Sequence, residues 1–211
     1  TFPVLNKMQD DSERLGRNYR KMIRASAYVI FPVMLMLAGL ARPLVLIMLT
    51  RKWENCIILL QILCFVFMWQ PIHILNMNVL QVKGRTDLTL KLELIKKPLG
   101  TILLIIGLKI GVVYFCFADL LNSLIVLALN TFYTGKLINV GYFKQMRDIF
   151  PIFILSFVMF LSILFVISLI SNLWIQLLAG FVVGVVVYLG GTLIFKFDEI
   201  NDVKYMLQRN H

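Results

Sequence analysis

IFPIFILSFVMFLSILFVISLI, residues 149–170, carries no charged side chain, and serine is its only polar residue type. At 1.5 Å per residue, a helix of this length crosses the roughly 30 Å of bilayer hydrocarbon. WIQLLAGFVVGVVVYLGGTLIF, residues 174–195, again has no charge. Working back toward the amino terminus, further apolar runs occupy residues 25–49, 56–82, 94–108 and 111–133. The run at 94–108 is long enough only if it begins near Leu88, which places Lys91, Glu93, Lys96 and Lys97 in its first two turns. All these runs exceed the roughly ten-residue alternating segments of a membrane β-barrel. The reading is an all-α membrane protein with six transmembrane helices.

Composition agrees. The 211 residues are 60% apolar and 15% charged, with a mean hydropathy of +0.85. Soluble domains are about 45–50% apolar and about 25% charged. A soluble catalytic domain, a disulfide scaffold and a disordered chain are therefore excluded. Cys56, Cys64 and Cys116 sit in or beside apolar runs without C-x-x-C spacing, and the only histidines are His73 and His211, so no metal site is expected. Phosphate-loop, nucleophile-elbow, zinc-protease and dinucleotide fingerprints are missing, and an enzyme is not expected. The acidic groups Asp10-Asp11 and Asp198-Glu199 with Asp202 read as solvated span ends. No charged segment precedes a short apolar leader, and the opening residues 1–5 read as the tail of an element already under way. The chain is expected to be a fragment.

The 21 Lys and Arg outnumber 11 Asp and Glu, for a net charge of +10. Only Arg42, Arg51, Lys52 and Lys109 fall on one side of the spans; all other basic residues fall on the opposite side. The positive-inside rule makes that opposite side, with both chain ends, cytoplasmic. The excess positive charge implies anionic lipid as a partner and no nucleic acid. Residues 11–24 read as a separate basic amphipathic helix, with Leu15, Tyr19, Met22 and Ile23 on one face and Arg14, Arg17, Lys21 and Arg24 on the other. It is expected to lie on headgroups or to grip a phosphate. The organisation is then a cytoplasmic amphipathic linker at 1–24, four spans at 25–146, a further helix pair at 147–197 and a cytoplasmic tail at 198–211.

Polar residues inside spans are costly and mark functional candidates. Glu93 and Lys97, four apart, can pair on one helical face, with Lys91 and Lys96 pointing elsewhere. Gln70, His73 and Asn76 share a face beside Pro71, which predicts a kink. Asp119, Ser123, Asn130 and Thr134 form a polar stripe with Asn122 at its flank, and Asp119 needs a partner from another helix, a cation or water. The last two spans are bland, and Gly180-x-x-x-Gly184 with Gly190-Gly191 predicts close helix packing.

Three blocks carry a family resemblance: FPVLNKM at 2–8, with the basic helix and FPVMLMLAGLARPLV at 31–45; LTRKWEN at 49–55 leading into LLQILCF; and QVKGRTD at 81–87. Together they resemble the later half of bacterial polysaccharide flippases of the multidrug/oligosaccharidyl-lipid/polysaccharide exporter superfamily. The resemblance implies the carboxy-terminal lobe of a MATE-like transporter fold plus two extra helices. It implies an inner-membrane protein that moves an isoprenoid-pyrophosphate-linked oligosaccharide by alternating access, partnered by membrane lipid and by an amino-terminal lobe. On that reading Lys91, Lys96, Lys97, Glu93, His73 and Asn76 are substrate-path candidates. Asp119, Asn122, Ser123 and Asn130 are candidates for a coupling cation, Na+ or H+. A drug/cation antiporter of the same fold is the alternative; a membrane glycan polymerase or acyltransferase would need larger outer loops.

Overall fold

The computed structural model describes residues 12–195. The acidic groups at Asp10-Asp11 and Asp198-Glu199 with Asp202, the segment 198–211 and His211 lie outside the described residues.

The described residues form helices α1 (Ser12–Gly39), α2 (Ala41–Leu49), α3 (Cys56–Phe67), α4 (Gln70–Val82), α5 (Thr86–Ile110), α6 (Val112–Ile138), α7 (Tyr142–Ser168) and α8 (Leu173–Ile194). Prolines explain the interruptions. Pro71 has no N–H to bond the Phe67 carbonyl, and α3 ends at Phe67, with α4 restarting at Gln70. The kink expected there is present. The run at 25–49 breaks at Leu40, because Pro43 cannot bond the Gly39 carbonyl; Gln61 Nε2 instead caps the neighbouring Ala38 carbonyl at 3.2 Å. Gly84, at φ +65°, turns the chain between α4 and α5 in a conformation other residues adopt only under strain.

Two expectations change. The basic amphipathic segment is not a separate element, since α1 runs unbroken from Ser12 to Gly39. Its apolar stripe does not rest on headgroups either: Leu15, Tyr19 and Ile23 are 0% exposed, packed inside protein. The count of spans also falls. Among the described residues five segments are long and apolar enough to cross a membrane, against six expected. The missing one is α5, a full helix with five charges in its first half and Lys109 near its end. Its uncharged stretch between Lys97 and Lys109 covers about 16 Å, half the hydrocarbon thickness.

The helices sort into two compact units. One comprises residues 12–27 with Trp69–Phe150, and the other Tyr28–Met68 with residues 151–195. In the first, α5 and α6 pack through glycine. A Cβ on Gly107 would lie 2.9 Å from the Phe115 Cα and from the Tyr114 carbonyl oxygen, and one on Gly100 would lie 3.1 Å from Asn122 Oδ1. At Gly107, where the neighbours are backbone, only glycine permits this approach, and at Gly100 a larger residue would displace the Asn122 side chain; the two contacts set the rotation of α5.

The second unit uses glycine in the same way, as the sequence predicts. A Cβ on Gly180 would sit 2.7 Å from Leu40 Cδ2, and one on Gly184 2.9 Å from Ile163 Cδ1; Gly191 abuts Leu155. Gly190 has open space. Pro32 frees the Tyr28 carbonyl within α1, and the Tyr188 hydroxyl donates to it at 2.6 Å. All three cysteines are unpaired, with Cys64 and Cys116 buried as small apolar side chains.

Candidate functional site

The first unit holds a column of buried polar side chains inside otherwise apolar helices. On α4, His73 and Asn76 lie three residues apart on the inner face, whereas Gln70, expected beside them, is exposed. On α6, Ser123, Asn130, Thr131 and Thr134 are all buried. Burying such groups in hydrocarbon costs several kcal/mol each unless they find partners. Most do. His73 Nε2 and Ser123 Oγ are 3.2 Å apart, and Thr134 Oγ1 donates to the Asn76 carbonyl at 3.3 Å.

Asn76, fully buried, is the junction of this column. Its Nδ2 donates to the Ile72 carbonyl at 3.0 Å, which turns Oδ1 toward α1. There the Tyr19 hydroxyl donates to it at 2.7 Å, with Gln145 Oε1 of α7 sharing the same proton at 3.1 Å. Gln145 Nε2 in turn donates to the Val140 carbonyl at 3.0 Å. Three helices are thereby tied together at one hydroxyl.

The charged start of α5 differs from expectation in one respect. Lys96 does not point away from Glu93; it pairs with Glu93 Oε1 at 3.2 Å, while Lys97 takes Oε2 at 3.4 Å. Their surroundings separate them. The Lys96 side chain is 10% exposed and that of Lys97 77%. Lys96 Nζ also donates to Asn130 Oδ1 at 3.2 Å and lies 3.8 Å from Met77 Sδ. Lys91 is exposed on another face. The rotation imposed by Gly100 and Gly107 carries Lys96 inward and leaves Lys97 out.

The proposed ion ligands do not converge on one point. Asn130 is eleven positions from Asp119, about 16 Å along the helix. Asp119 is half-buried, and no side chain among the described residues pairs with it. One turn on, Asn122 Oδ1 is buried without a hydrogen-bond partner, as are His73 Nδ1 and Thr131 Oγ1. Outside the spans, the exposed Arg85 guanidinium bonds Asp87 at 3.0 Å and holds that carboxyl below its usual range.

Sequence reading missed two features. Arg20 of α1 meets Asp148 of α7 in a bidentate pair, and the Asp148 side chain is only 7% exposed. Tyr19 was placed with the apolar stripe, although its hydroxyl joins the polar column. An aromatic ring with a polar tip gives no sequence signal of which end matters.

A family model described as "Polysaccharide biosynthesis protein" matches residues 1–58. A lipopolysaccharide biosynthesis protein of Escherichia coli, WzxC, is 30% identical over 106 residues, covering 50% of this chain and 22% of that protein. An uncharacterized membrane protein in the cps region of Klebsiella pneumoniae is 30% identical over 95 residues, covering 45% of this chain and 20% of its own length. Part of the chain is thus similar to polysaccharide-biosynthesis membrane proteins. Its fold is shared with the lipid II flippase MurJ in an inward closed conformation, at a TM-score of 0.74 and 22% identity. That likeness covers 93% of this chain and 42% of MurJ. The chain spans about a fifth of the length of the curated relatives it matches. It is a multi-pass membrane protein.

Proposed function

We propose that this chain forms one lobe of a flippase that moves an isoprenoid-pyrophosphate-linked oligosaccharide across the bacterial inner membrane by alternating access. The product would serve lipopolysaccharide, capsule or exopolysaccharide synthesis. The buried polar column from Tyr19 and Asn76 to Lys96 and Asn130 carries the reading. A sugar-diphosphate headgroup cannot cross hydrocarbon unaided, and a column of hydroxyls and amides beside a paired ammonium supplies a polar route through it. The flippase fold and the polysaccharide-biosynthesis relatives point the same way.

Within this reading His73, Asn76, Glu93 and Lys96 line the path, and exposed Lys91 and Lys97 attract the diphosphate to its cytoplasmic mouth. Coupling to Na+ or H+ falls to Asp119, with Asn122 and Ser123 on the next turn. Both chain ends are cytoplasmic, with α5 crossing on its full 25 residues as the sixth pass, an amino-terminal lobe completes the cavity, and the chain catalyses no bond-making step. Asp119 also supports a second reading, a drug/cation antiporter, because an unpaired half-buried carboxylate suits a cationic cargo.

Deletion of the gene separates the two. The flippase reading expects loss of surface glycan with lipid-linked intermediate retained on the cytoplasmic leaflet. Normal glycan together with reduced efflux of a cationic dye would favour the antiporter.

A further inference from the structure

The Lys96 ammonium has three N–H donors, and three acceptors surround it: Glu93 Oε1 and Asn130 Oδ1, both at 3.2 Å, and Met77 Sδ at 3.8 Å. They come from three helices, α5, α6 and α4. With its side chain 10% exposed, Lys96 is nearly withdrawn from water. Glu93 supplies the negative charge and Asn130 the neutral oxygen, which is the donor set of a monovalent cation site rather than of a surface ion pair. We propose that Glu93, Asn130 and Met77 build an internal cation site that the protein fills with its own tethered ammonium.

This goes beyond the transport reading and does not depend on it. A tethered cation cannot be exchanged for one from solution. The Asn130 oxygen is thereby withdrawn from any coupling ion, and the intact protein needs no dissolved cation at this position. The site's ligand class is a small monovalent cation, with a primary ammonium best matched because it restores all three donors. Removing the Lys96 side chain should empty the site while leaving Asn130 and Glu93 in place, the latter with its Oε2 still on the exposed Lys97, and thus create a binding site for a cation from solution at Glu93 Oε1 and Asn130 Oδ1.

The test is the melting temperature of the purified protein in detergent, in methylammonium chloride, sodium chloride or choline chloride at equal ionic strength. Choline is too large for the site and has no N–H. The unaltered protein should melt at one temperature in all three salts. Lys96→Ala should melt lower in choline and recover in methylammonium, with or without recovery in sodium. A gain of about 3 °C is expected when the cation stands at tenfold its dissociation constant. Equal melting of Lys96→Ala in all three salts would overturn the assignment, as would an equal methylammonium response in the unaltered protein. Should Lys96→Ala fail to accumulate, Lys96→Met and the double variant Lys96→Met/Glu93→Gln decide. The double variant should accumulate to the higher level, because it no longer leaves the inner oxygen of the Glu93 carboxylate unpaired. Equal levels would show that Glu93 is not the ligand of this cation.

Discussion

Arg20 and Asp148, 128 residues apart in the chain, face each other through two parallel hydrogen bonds of 2.6 and 2.7 Å. The pair fastens α1 to α7 one residue beyond the Tyr19 junction. A fork-shaped guanidinium suits a carboxylate in this geometry better than any ammonium does.

Arg20→Ala strands the 7%-exposed Asp148 carboxylate and should destabilise the protein by about 3 kcal/mol. Arg20→Lys, which loses the bidentate geometry, should fall between that variant and the unaltered protein. Arg20→Met/Asp148→Leu, which removes both charges, should recover most of the loss. Thermal unfolding in detergent measures all three; an undiminished melting temperature for Arg20→Ala would show that the pair contributes nothing.

The lysines of α5 separate by burial. Lys97→Ala removes a pair 77% exposed on the lysine side and should cost less than about 1 kcal/mol. Lys91→Ala should be equally mild. Lys96→Ala should reduce membrane abundance severalfold, since it strands the Asn130 oxygen and leaves Glu93 with only the exposed Lys97. Quantitative immunoblots of membranes compare them, and equal abundance of the three variants would contradict the burial order.

Glycine packing in the second unit is tested by position. Gly184→Val, forced against Ile163, should destabilise by about 1–3 kcal/mol. Gly190→Ala meets nothing within 4 Å and should leave the melting temperature unchanged. Helix propensity alone would favour both changes, so a loss at Gly190 equal to that at Gly184 would contradict the packing order.

Membrane sidedness follows from the distribution of basic residues. The six-span order needs α5 to cross on its full 25 residues in spite of its short uncharged stretch; with the native cysteines removed, single cysteines at Asn55, Lys109 and Asn172 should then react with an impermeant thiol reagent in intact cells. A cysteine at Asn139 should not. Reaction at Asn139 alone would invert the topology.

The spans were legible because long apolar runs need no knowledge of their neighbours, and the kink at Pro71 because a proline acts on its own helix; the break before Pro43 was not read. Site geometry was harder. Lys96 and Lys97 both reach Glu93 from i+3 and i+4, and only the contact of Gly100 and Gly107 with α6 decides which is buried. The length of α5 was misjudged as a span because its apolar centre hides how closely Lys97 and Lys109 confine it. Asn76 and His73 were found as polar residues in an apolar run. Tyr19, Gln145 and Asp148 were not, since their partners lie on distant helices and each is ordinary in its local sequence.

The central claim, passage of a lipid-linked oligosaccharide along the polar column, is tested most directly in sealed vesicles. Purified protein carrying the amino-terminal lobe that completes the cavity is reconstituted with an isoprenoid-pyrophosphate-linked oligosaccharide whose sugar carries a fluorophore, and an impermeant quencher is added outside. In protein-free vesicles about half the signal should resist quenching, since only the outer leaflet is accessible. With the unaltered protein most of the protected signal should disappear, and with Asn76→Leu, incorporated to the same level, it should persist. A protected fraction that stays the same with and without the protein would contradict the account.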